Sequence, residues 1–221
     1  MYLGSVGAVG EHGPTMEAVE IVGTVVFAIS GVVAVAARPL DWFGAVVVGV
    51  VTALGGGTIR GLILGVTPVF WIDDQVFLIT AVGGAVVAVA VVHAVGDASA
   101  RRLEESLALI DAAGLALFAV VGAAIAIDLG FSAATAVVAG LLTGVGGGVI
   151  RDVLSGRTPL VLSGEIYATA ALLGAVLFVS LYELTPVSEP LAGVIGGIAI
   201  FGLRVLAIRR SWSLPPLTRA A

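Results

Sequence analysis

Two stretches carry most of the polar chemistry in this chain: Thr52-Ala-Leu-Gly-Gly-Gly-Thr-Ile-Arg60 and Thr143-Gly-Val-Gly-Gly-Gly-Val-Ile-Arg-Asp152. Each lies within an apolar run, so Arg60 and Arg151 bring charge into a medium where charge is costly and is paired or turned toward water. Glu20 and Asp111 are the acidic residues at matching places earlier in the chain and are natural partners, although the sequence does not assign the pairs. Asp152 follows Arg151 directly, whereas Gly61 follows Arg60. Such pairs serve either as salt bridges that hold the helices or as the charges that set the field in a wet path, and both readings stand. Glycine costs about 1 kcal/mol relative to alanine in a helix. Backbone groups freed in hydrocarbon need partners or water. A kink or unwound stretch is therefore expected at Gly55, Gly56 and Gly57 and again at Gly146, Gly147 and Gly148, with carbonyls lining a cation route. The alternative is that these small residues permit close helix packing. Thr52 and Thr143, one turn ahead of the triplets, offer pore-lining hydroxyls.

Other chemistries find little support. There is no cysteine, and the two histidines, His12 and His93, have no carboxylate cluster at metal-ligand spacing. His93 is expected as an interfacial or packed side chain near a helix end. No Ser-His-Asp grouping, P-loop or dinucleotide-binding glycine pattern is present, so neither an enzyme nor a metal or cofactor site is expected. All basic residues are arginine, the net charge is −5 and the pI is near 4.9, a poor balance for nucleic acid.

Composition defines the medium. Of 221 residues, 59 % are hydrophobic and 11 % charged, with mean hydropathy +1.18. Soluble domains carry about 25 % charged residues, so lipid must cover most of this surface. A bilayer core needs about 20 apolar residues of helix, and seven stretches qualify: roughly 18–37, 42–65, 75–95, 109–128, 133–155, 165–184 and 189–208. Arg204, near the inner end of the last, is expected to snorkel to the headgroups. The chain reads as one membrane domain, 1–221, without a linker.

Arginine placement sets an expected orientation. With the N-terminus outside, Arg38, Arg101, Arg102, Arg157, Arg209, Arg210 and Arg219 all fall on the cytoplasmic side. Glu11, Glu17, Asp73, Asp74, Asp128, Glu183 and Glu189 fall opposite, which matches the positive-inside bias. The protein is expected in a cell membrane, multi-pass, with its C-terminus cytoplasmic.

The two motif copies belong to a longer duplication. At an offset of 91 residues Gly23 meets Gly114, Phe27 meets Phe118, Gly31 meets Gly122, Thr52 meets Thr143 and Thr67-Pro68 meets Thr158-Pro159. Repeat one spans about 18–95, repeat two about 109–184, and the helix at 189–208 has no counterpart. Three spans per repeat is odd, so the second copy is expected upside down relative to the first. The fold class is thus an all-α integral membrane protein of seven transmembrane helices, two inverted three-helix repeats plus a seventh helix, a plan common among transport proteins.

Phe27-Ala-Ile-Ser-Gly31, the first glycine motif through Arg60, Pro68-Val-Phe-Trp71 and the second motif through Asp152 resemble the prokaryotic branch of the trimeric intracellular cation channel family. The chain departs from that pattern at Gly61, where Asp is usual. The resemblance implies a homotrimer with a hydrophilic pore in each protomer, gated near the glycines of the second and fifth spans. It implies conduction of monovalent cations, chiefly potassium with some sodium, bound membrane lipid, and a prokaryote as the cell whose membrane holds the protein. Carried over by position, Gly55–Gly57 and Gly146–Gly148 are the gating kinks, with Arg60, Arg151 and Asp152 beside them. The competing reading is a secondary carrier for a small substrate such as glycine, because inverted repeats with broken helices suit carriers as well as channels.

Overall fold

Asp41 and Ser132 stand 91 residues apart and each starts a helix. The computed structural model, which describes residues 14–215 and within them the side chains of all but Pro14, 96–101 and 103–105, shows Asp41 accepting the Gly44 amide at 2.6 Å and Ser132 accepting the Thr135 amide at 3.4 Å. These caps satisfy amides that a helix start leaves without partners. The helices they open, α2 (Trp42–Leu64) and α6 (Ala133–Leu154), end within one residue of the same register. Gly65 (φ 71°) and Gly156 (φ 64°) take the left-handed conformation that suits glycine. The amides of Val66 and Arg157 then bond back to Gly61 and Asp152 carbonyls, each at 2.8 Å.

Around this pair lie α1 (Pro14–Val35), the short α3 (Phe70–Asp73), α4 (Gln75–Glu105), α5 (Leu107–Asp128), α7 (Ala168–Leu184) and α8 (Glu189–Arg210). Among the described residues, six helices are long and apolar enough to cross a bilayer, and α7, with 17 residues, is a shorter apolar one. The chain is an all-helical, multi-pass membrane protein. Helix α5 is its hub, with 78 % of its most apolar window buried, against 22 % for α4 and 28 % for α8. Buried side chains form two main clusters. One gathers Leu115, Val120, Tyr167, Phe178 and Ile200 on the α5–α8 side; the other gathers Phe27, Val32, Leu54, Phe77 and Phe118 around α1, α2 and α4.

Several sequence expectations need correction. Both glycine triplets lie inside unbroken α-helix, so the unwound stretch expected at Gly55–Gly57 and Gly146–Gly148 is not present. The propensity cost of glycine is outweighed by the packing these residues allow. Helix α4 runs ten residues past its expected end, which leaves the exposed His93 well inside a helix. Arg204 does not snorkel; it is fully buried. His12, Glu11 and Arg219 lie outside the described residues.

Candidate functional site at the α2–α6 crossing

Helices α2 and α6 run antiparallel and touch at their glycines. A Cβ at Gly56 would strike the Thr143 carbonyl oxygen, and one at Gly147 would strike the Thr52 carbonyl oxygen. One at Gly55 would lie 2.6 Å from Ile150 Cδ1, and one at Gly146 2.9 Å from Ile59 Cδ1. Each contact has a mate when its two residues are exchanged at the 91-residue offset. The same holds farther out, where Gly23 faces Phe118 and Gly114 faces Phe27, the two rings lying 5.1 Å apart. Close backbone approach is the use made of the triplets in this state, in agreement with the packing alternative.

Thr52 and Thr143 are both completely buried. Their hydroxyls donate to the carbonyls one turn back, Val48 and Ala139, each at 2.6 Å. A Cβ at Gly31 of α1 would lie 2.7 Å from Thr52 Oγ1, and Thr143 holds the matching place against Gly122 of α5. Each threonine is thus wedged within its own repeat. Threonine back-bonding of this kind bends helices and loads a carbonyl with a second donor.

One turn beyond the crossing on either side stands a buried ion cluster. Arg60 Nη2 donates to Glu20 Oε1 at 2.9 Å, joining α2 to α1. Arg151 Nη1 donates to Asp111 Oδ1, joining α6 to α5. The two pairs have the same separation in sequence, 40 residues. Arg151 is the more heavily engaged. Its Nε and Nη2 both reach Asp152 Oδ1, at 2.9 and 2.7 Å, and Nη1 also reaches Ser30 Oγ of α1 at 2.7 Å. The second Asp152 oxygen accepts the Leu160 amide at 3.1 Å and so ties down the segment after α6. Four residues of helix separate each arginine from the crossing, so the clusters sit about 12 Å apart along the α2–α6 axis.

An aromatic ring closes over the third glycine of each triplet. Phe70 of α3 packs on Gly57 and under the Arg60 guanidinium, 5.5 Å from ring centre to Cζ. Trp71 beside it donates to Thr58 Oγ1 at 3.0 Å. Tyr167 packs on Gly148 from the segment entering α7. Arg204 of α8 lies over the Tyr167 ring at 5.1 Å and donates to the Ile166 carbonyl at 2.8 Å and to Glu165 at 3.1 Å. Ser30, Glu165, Tyr167 and Arg204 were not singled out by sequence as members of this network. Only the burial of an arginine in an apolar span signalled Arg204, and its partner comes from a loop 39 residues earlier. A groove of about 720 Å³ lined chiefly by apolar residues of α1, α5 and α8 shares no lining residue with the crossing.

An all-helical, multi-pass membrane fold with two buried ion clusters flanking one crossing is the plan of a polytopic transport protein. The family model described as "Glycine transporter" matches residues 17–93 and again residues 108–183. The UPF0126 inner membrane protein YadS of Escherichia coli is 41 % identical over 197 residues, covering 89 % of this chain and 93 % of that protein. A UPF0126 membrane protein of Deinococcus radiodurans is 39 % identical over 202 residues, covering 90 % of both. The solved trimeric intracellular cation channel orthologue from Rhodobacter sphaeroides superposes with a TM-score of 0.83 at 36 % identity, over 90 % of this chain and all of that one. The chain belongs to this family, the prokaryotic trimeric intracellular cation channels, whose curated bacterial relatives carry the designation UPF0126.

Proposed function

We propose that the protein is a monovalent cation channel, chiefly for potassium, with one pore in each protomer of a homotrimer. The supporting observation is the glycine-on-carbonyl crossing of α2 and α6 with a buried ion cluster one turn away on either side. Apolar helices that cross in lipid have no need of five buried ionisable side chains, and the usual reason to retain such groups is a permeation path. In this state the path is shut, because the backbones touch at Gly56 and Gly147. Opening requires α2 and α6 to part there. The triplets make bending inexpensive, and the carbonyls of Thr52 and Thr143 then become available to a cation. Glu20, Arg60, Asp111, Arg151 and Asp152 set the field at the two mouths of that narrow stretch.

The exchange of contacts at the 91-residue offset supports two inverted repeats about a pseudo-two-fold axis through the Phe27–Phe118 contact, with α8 as the seventh, additional span. Arginine distribution supports an outside N-terminus and a cytoplasmic C-terminus. Trimer formation follows the solved relative, which is described as trimeric, and lipid is proposed between the protomers. A second reading, a carrier for glycine, draws on the description of the family model. Purified protein in planar bilayers separates the two. The channel gives discrete currents that reverse at the potassium equilibrium potential. Saturable, gradient-coupled glycine uptake without unitary currents would overturn it.

A further inference from the structure

The two rings that close over the crossing are held in different ways. Phe70 puts only carbon against Gly57, and its neighbour Trp71 is tied to Thr58 of α2, the helix it covers. Tyr167 is held over Gly148 from α8, which lies beyond the second family match ending at residue 183. Arg204, fully buried, stands over the Tyr167 ring and donates to the Ile166 carbonyl and the Glu165 carboxylate. The chain that follows α8 adds a second hold. Ser211 takes the left-handed conformation (φ 51°), uncommon for a residue other than glycine, and turns the chain back. The Leu214 amide then donates to the Gly164 carbonyl at 2.6 Å, and Ser213 pairs antiparallel with Glu165. Residues 164–167 are thus gripped by α8 and its trailing segment together.

The grip works against a cost. Tyr167 Oη packs on Gly148 so closely that a Cβ there would lie 2.5 Å from it. That buried hydroxyl has no hydrogen-bond partner in the protein, and neither has Oδ2 of Asp111 beside it. Burying polar atoms unpaired disfavours the arrangement that buries them. The contact of Tyr167 with Gly148 is therefore unfavourable by itself, and a parting of α2 and α6 relieves it. Closure at this glycine has to be held.

We propose that Arg204 and residues 211–215 form a latch that presses Tyr167 onto Gly148 and keeps the crossing shut, and that release of residues 164–167 from α8 opens it. The latch rests on the reading of the α2–α6 crossing as the gate. Tyr167 is the wedge, and Arg204 is a positioning residue that acts through it. Helix α8 packs chiefly on α5 and α7, so its end can shift before α2 or α6 moves. The crossing is thereby coupled to a helix that does not take part in it.

The test follows amide hydrogen exchange, which reports local opening, in the full-length protein by mass spectrometry, alongside single-channel recording. Arg204→Met removes the charge-assisted bonds at similar bulk. Exchange at residues 147–154 of α6 is expected to rise about tenfold, the loss of one such bond, while residues 57–64 of α2 exchange as before. Open probability rises with it at unchanged unitary conductance. Leu214→Pro removes the amide donor of the trailing segment and gives a smaller rise of about threefold; Leu214→Ala, which keeps the amide, matches the parent. Tyr167→Phe keeps the ring under Arg204 and deletes the unpaired hydroxyl, so exchange at residues 147–154 slows and openings become rarer. Parent-like exchange in both Arg204→Met and Leu214→Pro overturns the latch. A rise shared equally by residues 57–64 also overturns it, since that marks general loosening, as does faster exchange in Tyr167→Phe. Should Arg204→Met fail to fold, Leu214→Pro, in exposed chain, decides. Selective exchange without currents in any variant sustains the latch and removes the channel reading; currents with unaltered exchange overturn the latch and leave the channel.

Discussion

The α-carbon of Gly56 faces the carbonyl oxygen of Thr143 so closely that no side chain fits between them. The obstacle is backbone, which cannot swing aside as a side-chain tip can. Replacing Gly56 or Gly147 by alanine therefore forces α2 and α6 apart. Overpacking of this kind costs about 1–3 kcal/mol. Both variants should melt earlier than the parent protein, whereas Gly83→Ala, in open space, should not. Unchanged melting of Gly56→Ala would mean that the crossing is looser than described.

Arg151 should be harder to replace than Arg60. Removing one partner of a buried ion pair costs about 3–5 kcal/mol, mostly through the charge left behind. Arg60→Gln leaves one carboxylate, Glu20, without its cation; Arg151→Gln leaves two, Asp111 and Asp152, and also frees Ser30. Side-by-side melting of the two variants checks the order, and a larger loss for Arg60→Gln contradicts it.

Much of this was legible in the sequence because the membrane imposes long apolar runs and the duplication imposes register. The second, fifth and seventh spans were expected at 42–65, 133–155 and 189–208 and lie at Trp42–Leu64, Ala133–Leu154 and Glu189–Arg210. The shortlist of Glu20 and Asp111 for the two arginines contained the pairs that form. The helix breaks at Gly55–Gly57 and Gly146–Gly148 were not borne out as unwinding, because intrinsic propensity is a weak prior once two backbones pack into contact. Arg204 was misread because its nearness to a helix end hid a loop partner, Glu165, distant in sequence. Tyr167 gave no signal at all, since it falls inside the expected span 165–184, where a lone tyrosine near the end of an apolar run reads as an interfacial ring.

Arg204 anchors the segment between α6 and α7 through Ile166 and Glu165. Arg204→Met keeps the bulk and removes these charge-assisted bonds, each worth about 1.5–3 kcal/mol. Trypsin cleavage after the half-buried Arg157 in that segment should accelerate in the variant. A cleavage rate equal to that of the parent would show that Arg204 does not hold the segment.

Trp71 ties α3 to α2 through Thr58. Thr58→Val removes that bond at nearly constant volume, at a cost of about 0.5–1.5 kcal/mol. Solvent exposure of the indole should shift the tryptophan emission to longer wavelength. With Trp42 and Trp212 replaced by Phe, so that Trp71 alone reports, an unmoved spectrum would indicate that Phe70 by itself holds α3 over Gly57.

Conduction through the α2–α6 crossing is tested most directly by single-channel recording of the purified protein in planar bilayers under a potassium gradient. The result expected is unitary current that reverses at the potassium equilibrium potential, vanishes when N-methylglucamine replaces potassium, and changes in open probability in Gly147→Ala. A silent bilayer from protein that is folded and trimeric, or currents indifferent to Gly147→Ala, would contradict it.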